Sequence, residues 1–513
     1  MNIATASELV VTANINVRRP AEVTGAGVLR IGGSATGVLS VEDEVAVDRV
    51  SLRTFGTIAG PKALQIEQHF DWQGGSIDAT ATVVTEPQAT LLISTGSSHT
   101  LDGQLTVQGS GQWTGGGIGL GGTLLIESGG AFEIVSDQTI STRTGPAQVV
   151  NQGTLRKTTT TGFTTFSGTT AFVHSGKVDV QTGILYLDGV STISGHVLIA
   201  AGAFVDVAGT FRMQDGSRVL GDGALRVGGS ATGDVHVEAD ADVDSLTLRS
   251  FATVFGPRTA TIRRHFDWQA GTIDHSAELE VDPAATFAIS SSSSHTLDGS
   301  LILDGDGLWT GGGIALGGLL SLGPTATLEI EVDQNVSART AQARVVNSGQ
   351  IRKGATGGTT TFASGVDVIN SGEWRVETGT FHFALGLDLF NHCEFPIRNL
   401  ELAEFAIESI DLGGLTIGGG LGLGLLDIDA DGDGVRDEKA MYGRILGQVA
   451  YSDVGVGVEL IVTQYGPVLG RLFAGVPIPI GMLVGAVIGT VVPGAGTAVV
   501  AQIGDRTGFI LTG

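Results

Sequence analysis

The sequence predicts an all-β fold, a parallel β-helix (β-solenoid). Three observations carry this prediction: a long repeat without gaps, an unusual glycine content, and short segments of alternating polarity. The repeat is the strongest of them. His69-Phe70-Asp71-Trp72 returns 196 residues later as His265-Phe266-Asp267-Trp268, and the same offset relates Trp113-Thr114-Gly115-Gly116-Gly117 to Trp309 through Gly313. Gly32 to Gly37 matches Gly228 to Gly233, and the register still holds at Arg156-Lys157 with Arg352-Lys353 and at Ser175-Gly176 with Ser371-Gly372. Ordinary loops tolerate changes of length, whereas stacked coils are held in phase by their neighbours. A match of about 160 residues without insertion therefore points to stacking.

Glycine fills 80 positions, roughly twice its usual share of about 7%. These glycines alternate with Val, Ile, Leu, Thr and Ser rather than with Pro, which excludes collagen and predicts short strands joined by tight turns. Apolar residues at 42% suffice for a continuous core. With 28 Lys and Arg against 53 Asp and Glu, the formal charge of −25 disfavours nucleic acid as a partner. Cys393 is the only cysteine, so no internal disulfide can form.

Taken in chain order, Met1 to Ala13 is mildly polar and strand-like, with no secretion signal pattern, and we read the sequence as a mature chain or part of a longer one. The body then alternates strictly, as in Thr154-Leu155-Arg156-Lys157, Lys177-Val178-Asp179-Val180 and Ile184-Leu185-Tyr186-Leu187, with no sustained helical period before about residue 436. Alternation puts Phe70 and Trp72 in the core and His69 and Asp71 outside. Recurring Ser-Gly and Asn-x-Gly pairs are spaced by roughly 20 to 24 residues, the size of one solenoid coil. On that spacing 196 residues make about nine coils, a whole number of turns, and separate equivalent sites by about 40 Å at ~4.8 Å per coil.

The chain divides into a first solenoid copy (1–222), a second (223–384), a cap with a glycine-rich junction (385–426), a calcium-type loop (427–438) and a hydrophobic, glycine-rich C-terminal domain (439–513). The acidic stretch Glu401 to Asp411 suits a cap. Leucine and glycine alternate from Gly413 to Leu426, as in strands whose backbones approach closely.

The series Phe-Asp-Trp-Gln-Gly-Gly-Ser-Ile-Asp, Leu-Asp-Gly, Trp-Thr-Gly-Gly-Gly and Val-Val-Asn-Gln-Gly-Thr-Leu resembles the repeats of large bacterial secreted and surface proteins with a right-handed β-helix. It is similar in style to filamentous haemagglutinin and autotransporter passengers. The resemblance covers residues 15 to 384 and implies an exported, elongated, adhesin-like scaffold. It implies no particular activity.

The sharpest chemical motif is Asp427-Ile428-Asp429-Ala430-Asp431-Gly432-Asp433-Gly434-Val435-Arg436-Asp437-Glu438. It fits D-x-D-x-D-G-x5-E, in which hard carboxylate oxygens from Asp427, Asp429, Asp431 and Glu438 would ligate Ca2+. A second register through Asp429, Asp431, Asp433 and Asp437 resembles the calcium turns of thrombospondin type 3 and dockerin modules. The glycine-rich approach to Asp427 speaks against an entering helix, so the expectation is a single isolated loop acting as a structural clip.

Gly481, Gly485 and Gly489 lie in an uncharged run, and contact of residues 476–502 with a membrane is an expectation of that run. Pro477, Pro479 and Pro493 limit an unbroken helix there to about 20 Å, short of a ~30 Å bilayer core. The pairs His69/Asp71 and His265/Asp267 carry acid and base groups, but nothing brings two carboxylates or a metal to a set separation beside them. The function predicted is a non-catalytic extracellular or cell-surface scaffold contacting glycans or proteins within a larger chain or assembly. A polysaccharide lyase or hydrolase on the same fold is the alternative, by fold analogy alone.

Overall fold

The computed structural model describes residues 2–18, 23–143 and 145–384, and beyond them the backbone of strands at 390–391, 401–411, 415–428, 438–451, 454–463, 466–475 and 509–510. Cys393, Asp429, Asp431, Asp433, Asp437 and the segment 476–502 lie outside the described residues. The chain forms two compact units, Met1–Ala326 and Thr327–Gly513.

The first unit is a parallel β-solenoid. Its strands are short because glycine and polar turn residues interrupt each alternating run after three to five residues, as in Gln104–Val107, Thr123–Ile126 and Gln148–Asn151. Stacking follows from register: Leu105 lies beside Leu124, Leu124 beside Val149, and Val149 beside Phe172, steps of 19, 25 and 23 residues. Over most of the unit each strand pairs with the third strand after it, so one turn has three strands and the coil has three faces. The first face carries Gly75–Ile77, His99–Leu101 and Ile118–Leu120. The second carries Thr82–Thr85, Gln104–Val107 and Thr123–Ile126, and the third Thr90–Ile93, Ser110–Trp113 and Ala131–Ile134. No helix occurs among the described residues.

Along most strands of this unit, alternate residues point inward, as in Val28–Ile31, Thr123–Ile126 and Lys177–Val180. Phe70, Trp72, Leu105, Ile126 and Val149 are fully buried, each worth about 1.5–3 kcal/mol for an aliphatic or Phe side chain removed from water. The interior is a column of like residues stacked turn on turn. At some corners neighbouring turns come so close that a side chain does not fit. A Cβ on Gly103 would collide with the carbonyl oxygens of Asp78 and Ala81, and one on Gly122, a turn later, with that of Gly103.

Four strands of this unit are longer than its others. Val45–Leu52 with Ala63–Trp72, and Ala241–Leu248 with Thr259–Trp268, bend across a corner, and their register breaks between Val47 and Arg49 and between Val243 and Ser245. The far half of each continues on the next face: Thr259–Ile262 pairs with Glu278–Val281, while His265–Asp267 pairs with Thr286–Ala288.

This register corrects the expectation that 196 residues are a whole number of turns. From Phe70 the column of neighbours runs through Leu91, Gly111, Phe132, Leu155, Val178, Val197, Val219 and Val243, and after nine turns reaches Ile262. Phe266, the equivalent of Phe70, lies past the corner beside Leu246, in the column of Leu225, Val205 and Leu185 on the first face. The offset is nine turns and one face. A coil with three similar apolar faces packs equally well after a third of a rotation, so stacking requires a whole number of faces, not of turns.

The second unit begins with parallel strands of the same kind, Thr327–Ile330 beside Gln350–Lys353 and then Glu373–Val376. Phe362, Trp374, Phe381 and Phe383 pack with ring centroids 5.0 to 6.4 Å apart. A six-stranded antiparallel sheet follows in sequential order. Glu401–Asp411, read from its acidity as a cap, is the first strand, and pairs with Leu415–Ile428, where leucine and glycine alternate.

A β-branched side chain at Gly103 must displace two backbone carbonyls. Gly103→Val is expected to lower stability by about 1–3 kcal/mol or more, measured by urea denaturation, with Gly299→Val behaving alike because its Cβ would meet Asp274 and Ala277 in the same way.

Candidate functional site

The exterior of the coil is laddered. His69 Nδ1 lies 2.6 Å from Thr90 Oγ1 in the next turn, while Asp71 accepts hydrogen bonds from Gln73 Nε2 at 2.5 Å and Ser94 Oγ at 3.2 Å. The equivalent residues repeat this pattern: His265 with Thr286 at 2.7 Å, Asp267 with Gln269 at 2.8 Å and Ser290 at 2.6 Å. Each oxygen of both aspartates thus accepts one hydrogen bond from a neutral donor. Partial burial lowers the pKa of His69, which the charge of Asp71 opposes and that of Arg49 reinforces. Phe70 and Trp72 are buried between these polar side chains, as alternation predicts.

Two lysines are the largest departure from an apolar interior. Lys157 and Lys353 are fully buried. Lys157 Nζ donates to Asp137 Oδ1 at 2.8 Å and to Thr160 and Thr164 Oγ1 at 3.1 Å each. In the second unit Lys353 Nζ donates to Asp333 Oδ1 at 2.7 Å, Thr356 Oγ1 at 2.9 Å, Thr360 Oγ1 at 3.0 Å and the Val332 carbonyl at 3.2 Å. The hydrogen bonds from Lys353 and Thr356 hold Asp333 below the usual carboxylate range. Burial pushes Asp137 upward, but its bonds to Lys157 and Thr160 and the lysine's charge outweigh this and lower it. An ammonium whose protons are all engaged is structural rather than nucleophilic. Alternation carried the signal: Lys157 shares parity with buried Leu155, while Arg156 faces out.

Buried histidines complete the interior polar set. His99 Nε2 donates to the carbonyls of Trp72 at 3.0 Å and Ser94 at 3.2 Å, and its ring meets the Trp72 indole edge-on at 5.1 Å; His295 does the same with Trp268. His174 accepts from Asn151 Nδ2 at 3.1 Å and donates to the His196 carbonyl at 3.1 Å. Desolvation lowers the pKa of all three. On the outside, Asp206 is nearly buried beneath Arg226, which binds it through two nitrogens at 2.6 and 2.8 Å and lies 3.7 Å above the Phe204 ring. Sequence reasoning passed over this cluster because Val10 and Leu402, the residues 196 positions either side of Asp206, do not match it.

Of the expected calcium ligands, Asp427 is the last residue but one of the strand Leu415–Ile428 and Glu438 begins the next, with Asp427 level with Lys439 and Ile428 level with Glu438. Strands, not helices, flank the acidic run on both sides. Among the described residues no group of three or more His, Cys, Asp or Glu could hold a metal, and no helix is long and apolar enough to cross a membrane. Comparison with protein-family models, curated proteins and solved structures finds no match to this chain.

Removing Asp137 strands a buried ammonium. Asp137→Ala is expected to cost about 3 kcal/mol, the low end for a broken buried pair because this carboxylate is partly exposed, whereas Asp137→Ala with Lys157→Met should recover most of it in urea denaturation. The histidines set an acid limit. Their folded pKa values lie below the unfolded value of about 6.5, so the unfolded chain takes up protons first and stability falls as pH drops below that point. Denaturation midpoints should hold from pH 8 to 7 and decline below about 6.5. His99→Gln with His295→Gln should flatten that decline; an unchanged slope would remove these residues as its cause.

Proposed function

We propose that the chain is a non-catalytic structural or adhesive scaffold, extracellular or displayed at a cell surface, that works by reach and by contact along its exposed faces. The observation that carries this reading is the state of the exterior polar groups. They bond along the stack to the turn above or below, as His69 does to Thr90, Gln112 to Glu133 and Arg156 to Asp179, instead of converging on a space where a reacting atom could sit. Surface glycans or proteins are the partners this suits, within a larger chain or assembly. Membrane contact by residues 476–502 rests on their sequence alone.

The reading includes Ca2+ at residues 427–438. The donor set is all carboxylate, which suits a hard cation, and the antiparallel register holds the two ends of the run at neighbouring backbone positions. Asp427, Asp429, Asp431, Asp433, Asp437 and Glu438 would supply the oxygens. The ion would neutralise a run of like charges and clip the hairpin.

Two measurements test this. Polyuronates and neutral polysaccharides incubated with the chain should yield no unsaturated or reducing ends, and their release would establish the carbohydrate-active alternative. Calcium should raise the thermal midpoint of the wild type but not that of Asp429→Ala with Asp431→Ala; equal responses, with equal calorimetric heats, would remove the metal site.

A further inference from the structure

Phe55 and Phe251 are equivalent under the 196-residue offset, and both break two rules at once. Each is largely exposed, at 62% and 66%, and each has a left-handed backbone, with φ of 64° and 62°. A bulky residue at positive φ is strained, and glycine would relieve it at either corner. Neither packing nor backbone geometry calls for phenylalanine there, yet it stands at both.

The polar residues beside it are duplicated too. Each phenylalanine follows by three residues a strand end, Leu52 or Leu248, that the register sets level with Trp72 or Trp268 of the next turn, one position before Gln73 or Gln269. Gln73 leads to Asp71, Ser94, His69 and Thr90, all present again as Gln269, Asp267, Ser290, His265 and Thr286 with the same hydrogen bonds. Other outward positions nearby have diverged: Arg49 is matched by Ser245, Gln68 by Arg264, Leu92 by Ala288 and Gln112 by Leu308. The constellation has been kept while its surroundings changed.

We infer that each constellation is a binding site for a neutral glycan, with Phe55 or Phe251 stacking on a sugar ring and the carboxylate, amide, imidazole and hydroxyls meeting its hydroxyl groups. Hydroxyls both donate and accept, as this mixed set does. The net charge of −25 opposes polyanions. The strands on either side are paired in both directions, leaving no free edge for an added peptide strand. Because the offset is nine turns and one face, the two sites lie on different edges of the coil, about a third of a rotation apart and about 45 Å along its axis at ~4.8 Å per turn. Such sites engage two separate glycan chains and bridge them, rather than gripping one chain twice.

This inference rests on the scaffold reading, and its test separates the two. Hexasaccharides of glucose, N-acetylglucosamine and mannose are titrated calorimetrically into the chain. At least one should bind with two sites per chain; Phe55→Gly should leave one site, and Phe55→Gly with Phe251→Gly should weaken binding at least tenfold without lowering the thermal midpoint. Phe55→Tyr with Phe251→Tyr should retain binding. No binding to any of the three, or full binding by the double glycine variant, overturns the sites and leaves the scaffold standing, whereas shortened sugars in the titrated sample would overturn the scaffold reading itself.

Discussion

Every turn of the solenoid must match its strands, residue for residue, to the turns before and after it. The parallel ladder satisfies the backbone N–H and C=O groups of each strand only in that register. A slip of one residue would move each inward side chain to the outside and bring polar groups into the core. Turn lengths may vary, as the steps of 19, 25 and 23 residues show, because the corners absorb the difference while the strands stay aligned. The glycines at crowded corners and the apolar parity of the strands both follow from this constraint.

The same constraint governs the polar interior. A charged group inside the coil is tolerated only where neighbouring turns bring all its partners into place. Lys157 takes partners from Asp137, a turn earlier, and from Thr160 and Thr164, which follow it around the corner. Asn151 and His174 meet because their strands are adjacent in the ladder. These groups bind one coil to the next with directional contacts, where stacked Val, Leu and Ile would slide more easily. The cost of burying them falls due in acid, when histidine must charge.

Duplication of a long segment in such a coil is restricted in length but less tightly than in a two-sided sandwich. Three faces of similar width and polarity allow a copy to be added at any whole number of faces. Within the first unit, the offset of nine turns and one face therefore keeps the inward residues packed while turning the exterior of the repeated residues 223–326 to another side. Interior and exterior obey different symmetries, and an exterior feature that survives the change in both copies is not held there by packing.

The fold class, the inward and outward parity of each strand and the coil size of roughly 20 to 24 residues were legible in the sequence, because a ladder of short strands writes its period directly into alternating polarity and regularly spaced glycine. Phe70 and Trp72 inside, His69 and Asp71 outside, needed nothing further. Parity also marked Lys157 as inward, although its partners did not show. What only the tertiary structure decided was the phase between distant turns: which residues 20 or more apart become neighbours depends on how long each corner is, and corners carry no period. Thus the rotation of Phe266 away from the column of Phe70, the meeting of Lys157 with Asp137, and the exposure of Phe55 on a left-handed corner came from the stacked coil. Local alternation fixes which way a side chain points; only the accumulated path around the corners fixes what it points at.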